Sequence, residues 1–316
     1  MPPPSPPALR RPFAAGAVLL VVLASTELYA DAPEDAPPES RAQVEEALKA
    51  LSPALAKPGR RLAAGAHGTI EAAISAYAPG RFHPVVEGAL PAPRSDAHCP
   101  PEMGLVGGRF CVDKYEASLV ERGEGGALLP HPANHSPLPG HVYVARSVAG
   151  AIPQAYVSGA QALAACTAAG KRLCAPVEWR AACGGSDGFA FPYGPERSPG
   201  VCHDTGVAPM LVYHSDTMKR GWGALELNDP RNIELEGTLA KTGSFRGCVN
   251  DYGLYDMVGN IDEWTADPNG TFQGGFWLDT SLHGDGCAYR TIAHPFDYHD
   301  YSTGFRCCAD PSASAP

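Results

Sequence analysis

With 316 residues, 44% of them hydrophobic and 18% charged, the chain has material for one large domain or two small ones. Its formal net charge of −10 speaks against nucleic acid as a partner, because phosphate binding needs a basic footprint. The 32 prolines and 35 glycines punctuate regular elements and predict a turn-rich body with little long helix.

Residues 1–30 read as an export signal: Arg10-Arg11 precedes an apolar run from Phe13 to Ala24, and Tyr29-Ala30 is followed by acidic residues. That run is short of the ~20 residues a membrane-spanning helix needs. Leu28 stands where a cleavage site prefers a small residue, so an uncleaved N-terminal anchor is the alternative and the one expected route to a membrane. Residues 31–95 form an Ala/Pro-rich tether. Within it Val44, Ala47, Leu48, Leu51 and Leu55 recur at helical spacing between Arg41 and Lys57, and Pro58-Gly59 stops the pattern. Residues 96–312 are the expected folded domain. An exported chain belongs to the periplasm, the cell envelope or the extracellular space. The preference for arginine over lysine and the abundance of alanine fit a high-GC bacterial source.

The domain opens on Cys99 and Cys111, which flank a predicted hairpin around Gly107-Gly108 and lie within local reach of each other. The best helix runs from Ala160 to Ala169, with Leu163, Ala164 and Ala168 on one side and Gly170 ending it. A second, Val177 to Cys183, holds Trp179 against the core. Leu119–Val142 and Gly194–Ser244 read as long loops, which usually need a function or a staple. Ten cysteines in an exported chain are an even set that fits a disulfide framework, and no C-x2-C pair supports zinc. The adjacent Cys307 and Cys308 point to opposite faces if they lie on a strand, so they seek different partners. A vicinal redox disulfide between them is the alternative.

Several constellations bear on chemistry. Ser158, Ser186 and Ser215 lack the Gly-x-Ser-x-Gly elbow of a serine hydrolase. His294, Asp297, His299 and Asp300 crowd one loop, with His283 and Asp285 upstream. They read either as a transition-metal cluster or as a solvated polar loop over packed tyrosines. The stretch Gly253-Leu254-Tyr255-Asp256-Met257-Val258-Gly259-Asn260-Ile261-Asp262-Glu263-Trp264 places two carboxylates around a glycine turn. Asp256 and Glu263 can supply anionic oxygens, and the turn can aim the carbonyls of Gly259 and Ile261 between them, as calcium requires. The competing reading has Asp256 capping a short helix and Glu263 paired with an arginine.

That segment, taken with Gly170-Lys171-Arg172-Leu173, Glu178-Trp179, Gly184-Gly185, Tyr193-Gly194, Gly274-Gly275 and Gly304-Phe305-Arg306-Cys307, resembles the formylglycine-generating enzyme (sulfatase-modifying factor) family. The motifs run in family order from about Met103 to Asp310. The resemblance implies an irregular, loop-rich α+β fold related to C-type lectin-like domains and stapled by disulfides. It also implies structural calcium on Asp256, Gly259, Ile261 and Glu263. By the same resemblance Cys166 bonds to Cys307 and Cys183 to Cys287, which leaves Cys174, Cys202, Cys248 and Cys308 to form two further bridges in an order left open.

The family's oxidase needs two cysteines after Gly-Gly, as copper ligands and as the thiol that captures a substrate cysteine. Here Asp279 sits at the first position and the second falls near Leu282 or His283, so copper is not expected. Fold does not imply function. The expectation is an exported, non-catalytic binding protein whose groove uses Trp277, Asp279, His283 and Tyr289 to hold an extended peptide, protein or glycan. The alternative is an oxidoreductase, either a formylglycine-generating oxidase or one using a divergent metal site.

Overall fold

The computed structural model describes residues 89–217, 221–292 and 294–313. The export segment and the helix expected at Arg41–Lys57 lie outside the described residues, as does most of the tether. No helix among the described residues is long and apolar enough to cross a membrane.

The described residues form a mixed α+β fold, rich in short strands. Strand β1 (Ala97–His98) pairs antiparallel with β13 (Ser312–Ala313). Next come β2 (Met103–Val106) and β3 (Phe110–Asp113), a hairpin whose turn places Gly107 at φ 53° and Gly108 at φ 68°, where a side chain is disfavoured. This hairpin extends into a four-stranded antiparallel sheet in the order β2-β3-β12-β7, with β7 at Arg172–Leu173 and β12 at Cys307–Ala309. A second sheet has the order β5-β4-β6, from β4 (Ala117–Arg122), β5 (Leu128–Pro130) and β6 (Tyr143–Ser147). Strand β5 and the end of β4 fall within the expected Leu119–Val142 loop. Strand β5 is three residues long, wholly exposed and ends in proline, so it shows no alternation to betray it.

The third sheet has the order β10-β9-β8-β11, from β8 (Asp262–Trp264), β9 (Phe272–Gln273), β10 (Arg290–Thr291) and β11 (Thr303–Phe305), with β8 and β11 parallel. Strand β8 is the end of the Gly253–Trp264 motif. Because β11 runs straight into β12, this sheet and the hairpin sheet share one continuous segment, and Arg306 is its joint.

Helix α1 (Gly159–Ala168) starts where Ser158 accepts from the Gln161 amide while Gln161 answers to the Ser158 amide, a reciprocal cap. Its buried face is Gly159, Ala162, Ala165 and Cys166, not the expected Leu163, Ala164 and Ala168; Leu163 is 41% exposed. That face carries Cys166, which is bonded to Cys307, while Leu163 turns outward. Helix α2 (Pro176–Cys183) buries Trp179 completely, as expected. The Gly194–Ser244 stretch carries two short helices, α3 (Pro209–Tyr213) and α4 (Ala224–Leu227).

All ten cysteines are paired: Cys99–Cys111, Cys166–Cys307, Cys174–Cys308, Cys183–Cys287 and Cys202–Cys248. The two bridges implied by the resemblance and the local one are present, and the open four resolve as Cys174–Cys308 and Cys202–Cys248. Cys307 and Cys308 reach different partners, as neighbouring strand positions should. Cys202–Cys248 staples the long Gly194–Ser244 stretch.

Candidate functional site

The Gly253–Trp264 motif folds into the centre of the domain. Gly259 takes φ 79°, and a Cβ there would lie 2.3 Å from the carbonyl oxygen of His203, so this position tolerates only glycine. Asp256 (φ 56°) and Asn260 (φ 58°) are also left-handed, a conformation that Asp and Asn bear better than most residues. No helix begins at Asp256. Its Oδ2 accepts from the Gly243 amide at 2.6 Å, joining the motif to the loop before it.

Glu263 takes the arginine pairing that the residues alone allowed. Arg306 donates from Nη2 to Oε1 at 2.6 Å and from Nε to Oε2 at 2.7 Å, and the Trp179 indole donates to Oε2 at 2.7 Å. The same guanidinium donates to the carbonyls of Asp113 and Tyr255. Neither Arg306 nor Glu263 is accessible to solvent.

Glu116 is a member of this cluster that no motif signalled. It is fully buried, its Oε2 accepts from Asn260 Nδ2 at 2.8 Å, and its Oε1 has no hydrogen-bond partner. Burial, then the charges of Asp256 and Glu263, holds the Glu116 carboxyl well above the usual range. Burial likewise pushes Asp256 up to about 6, against the pull of the Gly243 amide and Arg306. Three buried carboxyl groups thus face one guanidinium, and the shifts favour the neutral form at Glu116. Its neighbours Asp113, Lys114 and Ser118 are themselves polar, so nothing in the local sequence marks Glu116 as buried.

Both carboxylates of the motif keep some acceptor capacity. An ionised carboxylate offers about four lone-pair sites. Glu263 uses three and Asp256 uses one. When Asp256 and Glu263 are both ionised they outnumber the single Arg306 charge, which is the electrostatic condition for a cation. Among the described residues no three His, Cys, Asp or Glu side chains converge as a metal-binding group, so such an ion would rely on two carboxylates and on backbone carbonyls.

Among the described residues the His294–Asp300 loop likewise brings together no group of three such side chains. The two histidines of that loop have other partners: His294 lies 4.3 Å from the Tyr298 ring and 5.2 Å from Phe272, and His299 Nδ1 faces Asn228 Oδ1. Asp300 accepts from Tyr298 and Ser302. Asp285 is exposed.

The Gly274–Cys287 segment differs from the expected groove. Trp277 is not a groove contact: it is wholly buried, and its indole donates to the Val207 carbonyl at 2.9 Å. Tyr289 is also buried and donates to Asp279 Oδ2 at 3.1 Å. Asp279 Oδ1 accepts from the amides of Ser281 and Leu282, both at 2.9 Å, so this side chain builds a turn. Gly275, at φ 73°, lies so close to the Asp279 carbonyl that a Cβ would come within 2.2 Å. Of the four expected contacts only His283 is exposed, with its ring edge-on to Tyr289. Beneath this segment Asp262 is buried with Oδ1 unpartnered, and burial, then Asp300 and Asp279, raises its carboxyl. Nothing in the motif reading singled it out.

Residues 132–311 match the family described as the sulfatase-modifying factor enzyme 1-like domain. A formylglycine-generating enzyme of Thermomonospora curvata is 32% identical over 189 residues, covering 50% of this chain and 56% of that protein. An inactive C-alpha-formylglycine-generating enzyme 2 of Bos taurus is 29% identical over 171 residues, covering 50% of each chain. The chain therefore spans about half the length of the curated relatives it matches. Among solved structures, a Major Tropism Determinant I1 variant covers 70% of this chain and 55% of its own at a TM-score of 0.40 and 14% identity.

Proposed function

The chain belongs to the sulfatase-modifying factor enzyme 1-like domain family, and from that membership we propose that it is a non-catalytic recognition protein working outside the cytoplasm. The carrying observation is that all ten cysteines are consumed in five disulfides. Cys287, the one cysteine in the Gly274–Cys287 segment, is bonded to Cys183. That segment offers no thiolate to bind copper or to attack a substrate cysteine. At the first catalytic position Asp279 serves as a turn former. The likeness to a relative named inactive supports the same reading.

Five disulfides also favour an oxidising compartment, which supports export. We further propose a structural calcium ion on Asp256 and Glu263 with the Gly259 and Ile261 carbonyls, supported by the excess of buried carboxylate over guanidinium. A bound calcium supplies charge compensation there and no redox chemistry.

The test is incubation of the full chain with copper and a peptide containing Cys-x-Pro-x-Arg, followed by the mass of the peptide cysteine. The expected result is an unchanged mass. Copper-dependent conversion would overturn the reading in favour of the oxidoreductase alternative.

A further inference from the structure

A pocket of about 300 Å³ opens between the α4 region, at Trp222, Gly223, Ala224, Leu227 and Asn228, and the loop at Asp297, Tyr298 and His299. That volume is at the small end of ligand pockets, which run from ~300 to 1,000 Å³. It suits one side chain or one small ring.

The polar groups are fixed in orientation. Asn228 Nδ2 donates to the carbonyls of Ala224 at 2.9 Å and His299 at 3.3 Å, so its Oδ1 is the atom facing His299 Nδ1 at 2.7 Å. Nδ1 therefore carries the proton, and in the neutral ring Nε2 is an acceptor. Asp297 is exposed at the rim. Behind the pocket, Tyr298 donates its hydroxyl to the buried Asp300 carboxylate at 2.5 Å. Trp222 is held by its indole N–H on the His214 carbonyl at 3.1 Å and stays partly exposed.

The lining thus offers two aromatic rings, a rim carboxylate, an imidazole acceptor and a second carboxylate behind a ring. It contains no lysine or arginine. Aromatic faces attract a cation within about 6 Å, and carboxylates add to that attraction. A neutral sugar brings no charge to pair with Asp297, and Asn228 has already spent both of its donors.

We propose that this pocket binds the cationic end of a lysine or arginine side chain presented by a polypeptide. Trp222 and Tyr298 form the aromatic walls, and Asp297 is the charge partner. The pocket shares no residue with the Gly274–Cys287 segment, so its occupancy does not depend on whether that segment is catalytically inert.

The protein carries its own reporter. Of its four tryptophans, Trp179, Trp264 and Trp277 are wholly buried, which leaves Trp222 as the accessible one. Acrylamide quenching of the full chain should fall along a saturable curve as N-acetyl-arginine amide or N-acetyl-lysine amide is added. The uncharged isostere N-acetyl-citrulline amide and methyl glucoside should leave quenching unchanged. Asp297→Asn should weaken the cationic probes by about fivefold while retaining the Trp222 signal, a small shift on the scale where tenfold is ~1.4 kcal/mol. Trp222→Phe should abolish the response with the other tryptophans unmoved. Equal protection by the citrulline probe, saturation by methyl glucoside, or no protection by either cationic probe would overturn the proposal.

Discussion

Arg306 lays its guanidinium along the Glu263 carboxylate, Nη2 2.6 Å from Oε1 and Nε 2.7 Å from Oε2, with both side chains shut off from water. Removing one member of such a pair strands the other charge in a low-dielectric interior, at a cost of roughly 3–5 kcal/mol. Glu263→Gln and Arg306→Met should therefore each lower the denaturation midpoint by that order. The double variant should cost less than their sum, because neither member of the pair is left without the other. Strict additivity in a double-mutant cycle would show that the pair contributes packing alone.

This pairing also selects the variant for testing calcium. Glu263→Ala would destabilise the protein by stranding Arg306 whether or not calcium binds. Asp256→Ala isolates the ion more cleanly, since it leaves the guanidinium paired. Chelation should lower the melting temperature of the unmodified chain and leave that of Asp256→Ala unmoved. A melting curve insensitive to chelator in the unmodified chain would reduce Asp256 to a staple for the Gly243 amide.

The bridges Cys166–Cys307 and Cys174–Cys308 span 141 and 134 residues but end on neighbouring positions. Once one is closed, the other constrains only the short segment between Cys166 and Cys174. In the chain-entropy model a loop of about ten residues contributes roughly 2–3 kcal/mol, against roughly 4–5 kcal/mol for the full span. Converting either bridge to an alanine pair should cost the smaller amount, and converting both should cost more than the two losses added. Denaturant titration of the three variants measures this directly.

Asp279 accepts three hydrogen bonds, from the Ser281 and Leu282 amides and the Tyr289 hydroxyl. A cysteine there cannot replace them, and the Tyr289 hydroxyl would be left buried without its acceptor, a loss of about 1–3 kcal/mol. Asp279→Cys should therefore melt lower than Asp279→Asn, which keeps an acceptor oxygen. Equal melting temperatures for the two would remove the turn-forming role.

His203 is buried, stacked on Phe245 with ring centroids 4.7 Å apart, and its Nε2 faces the Thr238 carbonyl. Burial holds its pKa below the ordinary histidine value, so the folded state resists a proton that the unfolded chain accepts near pH ~6.5. Stability should be intact above that pH and decline as the pH falls from it towards the lowered folded value. His203→Gln keeps a donor for Thr238 and should flatten this part of the pH–stability profile. An identical slope in the variant would assign the decline to other groups.

Much of the framework was legible because local rules governed it. The Gly107-Gly108 hairpin, the Gly170 stop after α1 and the burial of Trp179 each follow from a few neighbouring residues. The Asp256 and Glu263 positions were also legible, and so was the arginine alternative for Glu263. Two acidic groups that matter were not. Glu116 and Asp262 are defined by neighbours far along the chain, and neither spacing nor composition marks a carboxylate as buried. Trp277 misled for a related reason: an aromatic residue in a loop reads the same whether it faces a ligand or the core.

By itself the sequence determined the chemistry on offer: an even set of ten cysteines, a segment after Gly274-Gly275 with no cysteine before Cys287, a glycine turn between two acids, and ordered motifs that imply the family. These are properties of residue type and short spacing, which chain folding cannot alter. The tertiary structure decided which groups meet. It put Arg306 on Glu263, turned the small face of α1 inward, paired Cys174 with Cys308 and Cys202 with Cys248, and brought Trp222 to Tyr298 and Asp297. Each of those contacts joins segments far apart in the chain. Such contacts are fixed by the packing of the whole core and carry no local signature.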